Sequence, residues 1–205
     1  MAPTIRIDDE VYEWLKKHGE TFVDSPNDVL RRSLGLDGAS ARTSVRKGAR
    51  GSRRDRIRGV IEEAVAADPD LNLDDSNIRW IHFAPLSWTA PELMRGSTRS
   101  GRLLWFMVEN QPTRLALYLE ICPGDQDTRR RIRESLEDQD WFSAARRQLP
   151  PMWHRIFRRD ILVPRDYENH GHDAGWIQGR ITEMFADFKL NDFPKIDRAV
   201  RAIEF

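Results

Sequence analysis

Carboxylates, histidines and arginines are the residues in this 205-residue chain whose types and spacing could do chemistry. Glu109 and Glu120 fall at or near the ends of two adjacent apolar runs, with Asp125 and Asp127 close behind. Such a set suits a divalent ion and phosphodiester cleavage, provided a lysine stands by to stabilise the attacking hydroxide. After Glu120 the chain reads Ile-Cys-Pro, so that lysine is missing. The alternative reading makes Glu120 a solvent-facing strand residue and Asp127 a helix cap. His170-Gly171-His172-Asp173, with His154 upstream, offers two imidazoles and a carboxylate to a transition metal, but Asp173 is equally placed to cap the helix carrying Trp176 and Ile177. Arg129, Arg130, Arg131 and Arg133, joined by Arg146, Arg147, Arg155, Arg158 and Arg159, interleave with Trp141, Trp153 and Phe157. Arginine beside aromatic rings suits phosphate contact and base stacking. Against that, Glu134 and Glu137 lie four residues after Arg130 and Arg133 and can neutralise them on one helix. No catalytic set, metal site or cofactor is expected from these groups, and the chain is read as a non-enzyme.

The charge is unevenly distributed. Lys and Arg number 33 against 33 Asp and Glu, so the whole chain exerts no net pull on nucleic acid. Residues 1–36 carry a net charge of −2, residues 37–58 carry +6, and residues 59–205 carry −4. The middle segment, DGASARTSVRKGARGSRRDRIR, has Val45 and Ile57 as its only large apolar residues, too few to offset the cost of ordering its backbone. It reads as a flexible basic linker whose Arg42, Arg46, Lys47, Arg50, Arg53 and Arg54 supply phosphate contacts without sequence preference. The longest apolar run, residues 103–108, is far short of a bilayer span, and the N-terminus has no secretory apolar stretch. No membrane association and a cytoplasmic location are expected. The single cysteine, Cys122, excludes an intramolecular disulfide and reads as a small apolar residue at a strand end.

These groups must be held by elements that the residue patterns outline. Thr4-Ile5-Arg6-Ile7-Asp8 alternates polar and apolar residues, as a short half-buried strand does, with Thr4 and Arg6 on its outward face. Val11, Trp14, Leu15 and His18 then form one helical stripe, ended by Gly19. Ser25-Pro26-Asn27-Asp28 opens a second helix through Val29, Leu30 and Leu34. A strand-helix-helix unit this small cannot bury its own stripe, so two copies are expected to pair their strands antiparallel.

That order resembles the ribbon-helix-helix family. TIRIDDEVYEWL and DSPNDVLRRSLGL are similar, more narrowly, to the N-terminal domain of the SeqA family of negative modulators of replication initiation. The ribbon-helix-helix resemblance implies that Thr4 and Arg6 face bases in the major groove and that Ser25 and Asn27 hold the DNA backbone. The SeqA resemblance implies instead that this unit mainly self-associates, with DNA contacted by a domain beyond the linker.

Residues 59–205 read as an α+β domain: a small antiparallel sheet with flanking helices. A short helix over residues 60–67, a strand over 78–83 and a central hairpin over 103–122 are expected, the last with turn residues at 110–112 and its first strand covered on both faces. A helix with Ile132 and Leu136 inward follows, then a helix through Ile177, Ile181, Met184, Phe185 and Phe188, and a last one through Ile196, Val200 and Ile203. The strand-strand-helix order is similar to accessory C-terminal regions of nuclease-like, restriction-associated proteins.

Together these readings give three parts: a ribbon-helix-helix module (1–36), a basic linker (37–58) and an α+β domain (59–205). The expected function is DNA-binding regulation of transcription or replication, as a homodimer or higher oligomer on double-stranded DNA. A nuclease-like protein, active or inactive, and an oligomeric scaffold without DNA affinity are the alternatives.

Overall fold

Five strands follow one another as an antiparallel meander: β1 (Leu71–Ser76), β2 (Trp80–Pro85), β3 (Leu104–Gln111), β4 (Arg114–Ile121) and β5 (His154–Leu162). The computed structural model describes residues 52–143 and 148–205. The expected strand-helix-helix unit over residues 4–36, with Thr4, Arg6, Ser25 and Asn27, lies outside the described residues, as do Arg42, Arg46, Lys47, Arg50, Arg146 and Arg147. What is described is an α+β domain, with helices α1 (Arg53–Ala66), α2 (Gln126–Leu136), α3 (Pro164–His170), α4 (Ala174–Asp187) and α5 (Phe193–Arg201).

The expected central hairpin is β3 and β4. Gln111 pairs with Arg114, which leaves Pro112 and Thr113 as a two-residue turn. Asn110, expected in that turn, is instead a buried strand residue. Its side-chain amide donates to the carbonyls of Arg54 (2.9 Å) and Ile78 (3.0 Å). The continuous apolar run has the physical basis proposed for it: successive side chains of β3 serve two different cores. Leu104, Phe106 and Val108 point into the larger core with the helices. Trp105 and Met107 join Ala84, Ala116, Tyr118 and Cys122 in a smaller cluster.

The larger core is aromatic at its centre. Phe106 contacts Phe83 at 5.5 Å between ring centroids and meets Phe188 edge-on at 5.1 Å. Ile57, Ile61 and Val65 of α1, Ile177 and Ile181 of α4, and Ile196 and Val200 of α5 pack against this centre. Full burial of one such aliphatic side chain contributes about 1.5–3 kcal/mol. The spacing read for the last two helices is therefore the spacing that packs, although a π turn, Phe188–Asp192, separates them. Arg159 of β5 closes that turn by ion-pairing with both Asp187 and Asp192.

Three boundaries differ from those the sequence suggests. The first helix begins at Arg53 rather than Val60, so residues 53–58, expected as the end of the linker, are helical. A capping box explains it: Ser52 Oγ accepts from Asp55 N (3.2 Å), and Asp55 Oδ2 accepts from Ser52 N (3.0 Å). The cap of α2 is Asp125, not Asp127, with Asp125 Oδ2 accepting from Thr128 N (2.9 Å) and Thr128 Oγ1 (2.6 Å). Strands β1 and β5 lie where no strand was expected, and each carries irregular register, between Leu73 and Asp75 in one and opposite Leu119 and Glu120 in the other. One tight junction fixes the chain between β4 and α2. Gly124 bridges Gly96, and a Cβ there would stand 2.6 Å from Leu103 Cδ2 and 2.8 Å from Gly96 Cα.

Candidate functional site

Period-two alternation sends Trp80 and His82 of β2, Trp105, Met107 and Glu109 of β3, and Tyr118 and Glu120 of β4 to the sheet face away from the larger core. Residues 150–153, leading into β5, stand beside that face. Together they enclose a cavity of about 610 Å³ lined by Trp80, His82, Met107, Glu120, residues 150–154 and Arg155. Its walls are mostly apolar and its polar groups few, the composition of a ligand pocket.

Aromatic stacking organises one side. The His82 ring lies 4.2 Å from Trp105 at 22°, and Trp153 lies 5.6 Å from Trp105 at 12°, so three rings follow one another in near-parallel planes. Trp153, at the end of this series, is still 46% exposed. Next to it Met152 is exposed as well. At the rim, the exposed Arg79 guanidinium lies 4.5 Å above the Trp80 ring.

One carboxylate, Glu120, lies on the floor, with Glu109 buried beside it. Glu120 is 4% exposed and Glu109 is similarly buried. Arg155 bridges them, with Nε donating to Glu120 Oε1 (3.0 Å) and Nη1 to Glu109 Oε2 (3.3 Å). Its guanidinium also lies 4.1 Å above the Tyr118 ring. Trp105 Nε1 donates to Glu120 Oε2 at 3.3 Å. Burial pushes the Glu120 carboxyl above its ordinary value, against the opposing hydrogen bond and charge of Arg155. Burial pushes the Tyr118 hydroxyl up too, helped by the charge of Glu109. His82 goes the other way: burial lowers its imidazole below the ordinary value, against the pull of Asp75 and Asp74. Its Nδ1 has no hydrogen-bond partner among the described residues.

The wall over this floor is held from behind by a buried arginine. Arg129 of α2 is 0% exposed. Its guanidinium donates to the carbonyls of Pro151 (3.0 Å), Pro150 (2.8 Å) and Met152, and to Gln126 Oε1 (2.9 Å). Three successive carbonyls aimed at one planar fork fix the path of the wall immediately before Trp153.

Of the residues singled out from sequence, Glu109 and Glu120 do converge, and Arg155 is what they share. Asp125 caps α2 and stands apart from them. The arginine run is largely paired within the fold: Arg130 with Asp127 (2.9 Å), Arg133 with Glu137 (3.1 Å), and Arg158 with Asp160 (2.7 Å). Asp173 caps α4 by accepting from Trp176 N (2.9 Å), while His170 stacks on Trp176 at 4.0 Å. Among the described residues no group of three or more His, Cys, Asp or Glu is placed to hold a metal ion. Cys122 is buried at the end of β4, and its thiol is pushed far up by burial.

Arg53 and Arg54, expected as linker contacts for DNA, instead serve the domain. Arg53 donates to the carbonyls of Pro112 (2.7 Å) and Gly171 (3.3 Å) and lies over the Tyr167 ring. Arg54 donates to the carbonyls of Asn110 (2.9 Å) and Ile78 (3.3 Å). Trp153 was singled out beside the arginines, but the pocket walls Trp80 and His82, and Trp105 on which Trp153 stacks, were not. Their signal was aromatic residues two apart within runs that need no polar or exposed face, Trp80 with His82 in particular.

No helix among the described residues is long and apolar enough to cross a membrane. No protein-family model, no curated protein and no solved structure matches this chain.

Proposed function

We propose that this chain is a DNA-associated regulatory protein whose α+β domain recognises a ligand through the aromatic-walled cavity and catalyses no reaction. The observation that supports binding over catalysis is the Glu109–Arg155–Glu120 bridge at the cavity floor, while the DNA-associated part of the reading rests on the sequence of residues 4–50. A hydrolytic centre would need the two carboxylates to turn toward a divalent ion, and here a guanidinium fills the space between them. Stacked rings and a carboxylate pair bridged by one guanidinium are means of binding. In this reading residues 4–36 pair two copies, and Arg42, Arg46, Lys47 and Arg50 supply salt-dependent phosphate contacts. Arg53 and Arg54 leave the contact set because their donors hold backbone carbonyls.

Pairing would place two cavities and two basic segments on one duplex, so modest individual contacts add to useful affinity. The test is binding of the full chain to random-sequence duplex DNA across a salt series. It is compared with a chain in which Arg42, Arg46, Lys47 and Arg50 are all alanine. Loss of the four cations should flatten the log–log salt slope by about 3–4 per bound chain, at roughly 0.9 per phosphate contact. Absence of binding by the full chain even at about 50 mM salt would favour the oligomeric scaffold. Mg²⁺-dependent loss of the duplex would establish the nuclease-like alternative.

A further inference from the structure

We infer that the cavity takes a nucleobase, stacked against Trp153 and donating an N–H from its ring edge to Glu120. The inference rests on the DNA-associated reading and names the ligand class of its site.

Shape comes first. His82, Trp105 and Trp153 form a series of near-parallel rings that ends at a tryptophan with much of its surface exposed. A flat ring laid on Trp153 would continue the series. Base–aromatic stacking has this geometry and is indifferent to which base is used. A cavity of about 610 Å³ sits within the usual range for small-molecule sites and leaves space for a sugar beside the base.

Charge and hydrogen bonding narrow the choice. Glu120, Glu109 and Arg155 sum to one negative charge, spread over two carboxylates that each already accept from the guanidinium. Both Glu120 oxygens receive one donor, from Arg155 and Trp105, and each keeps a second acceptor position. A partly neutralised acceptor suits a neutral N–H better than a full cation, which would be drawn to an unpaired carboxylate. The His82 ring itself forms one of the same walls. Outside, the exposed guanidinium of Arg79 over Trp80 is positioned for a phosphate attached to the base.

The ring can arrive as a free nucleotide or as a base turned out of a strand. The two sources share this chemistry, and an experiment separates them. Calorimetric titration of the full chain uses the four common nucleoside monophosphates, inorganic phosphate, tetramethylammonium, and single-stranded oligonucleotides. The variants are Trp153→Ala, Trp153→Phe and Glu120→Gln, with thermal melting to confirm that each is folded.

At least one nucleotide should bind where inorganic phosphate does not. Trp153→Ala should weaken it on the order of tenfold, while Trp153→Phe keeps most of the affinity because a ring remains. Glu120→Gln should weaken it too, most for bases that present N–H donors. Oligonucleotides that bind with the same pattern of losses identify a base within a strand as the source. Nucleotides that bind while oligonucleotides do not identify the free ligand; the pocket inference then stands and the DNA-associated reading loses its support from this site.

Binding of tetramethylammonium without nucleotides would overturn the inference in favour of a cation cage. Nucleotide affinity no greater than that of phosphate, or unchanged in Trp153→Ala, would overturn it as well. If in that case salt-dependent duplex binding persists, the DNA-associated reading survives the failure of the pocket.

Discussion

Replacing Arg129 by methionine tests whether the cavity wall is held from behind. Methionine keeps an unbranched apolar stem out to about the position of Nε and removes every hydrogen bond of the guanidinium. In the native fold three of those bonds go to the carbonyls of residues 150–152 and one to Gln126. Hydrogen bonds to a charged group contribute about 1.5–3 kcal/mol each, which would set the three carbonyl bonds at about 4.5–9 kcal/mol. All four acceptors are neutral, so the cost of burying the cation, several kcal/mol, falls entirely on this arrangement. Residues 151 and 152 are exposed, and water can reach carbonyls released there. The net loss expected for Arg129→Met is therefore about 2–4 kcal/mol, the range left when the burial cost is set against those bonds. For a chain of this size that lowers Tm by roughly 6–12 °C at mid-range.

Urea titration followed by tryptophan fluorescence measures the loss. The native-state emission should also shift to the red as Trp153 leaves Trp105. Arg129→Lys should recover only part of the stability, because one ammonium cannot span three carbonyls. A loss below about 1 kcal/mol with unchanged emission would refute the assignment of the wall to Arg129.

Three other outcomes follow from particular contacts. Ile57 is 1% exposed within α1, so Ile57→Ala should cost about 2–5 kcal/mol in urea titration; accordingly, a chain starting at residue 52 should unfold cooperatively, whereas one starting at 59 should not. Burial holds the His82 pKa below its ordinary 6.5 in the folded protein. The unfolded chain therefore takes up the proton first as pH falls, and stability present above pH 6.5 is lost through the folded-state pKa. His82→Gln should flatten that fall between neutral and mildly acid pH, read from urea midpoints. Asp125→Ala should lower the urea midpoint through loss of the α2 cap, and the loss should shrink at acid pH, because the hydrogen bond from Thr128 holds the Asp125 carboxyl below its ordinary value.

The parts of the fold that were legible in sequence are those where one physical demand dominates. The alternation over residues 115–121 separates the side chains of the larger core from those of the second buried face, the spacing of Ile177 with Ile181 marks one buried helix face, and each became the element expected. Strands β1 and β5 were not legible because both break their alternation at irregular register, and because β5 carries Arg155, Arg158 and Arg159, which read as a charged surface. The start of α1 was missed for a different reason. Composition marked residues 53–58 as linker, while the Ser52 and Asp55 capping box, a local signal, marked a helix start.

The candidate site was half legible. Glu109 and Glu120 stood out as a pair, but their shared partner lies on a strand that was not foreseen, and only the sheet register brings Arg155 opposite Glu120. Trp153 was noticed beside arginines for its stacking chemistry; what it stacks on is Trp105, which is distant in sequence and adjacent only after folding.

Asn110 and Arg54 have a mechanical consequence. Asn110 clasps the backbone of α1 at Arg54, and Arg54 returns the grip on Asn110 and on Ile78, two residues before Trp80. Any pull delivered along the chain from upstream of Ser52 meets this knot before it can peel α1 from the sheet. The same knot abuts the turn that leads into Trp80, one wall of the cavity. It acts as a cleat, lashing the start of α1 to the strand edge that carries one wall of the pocket.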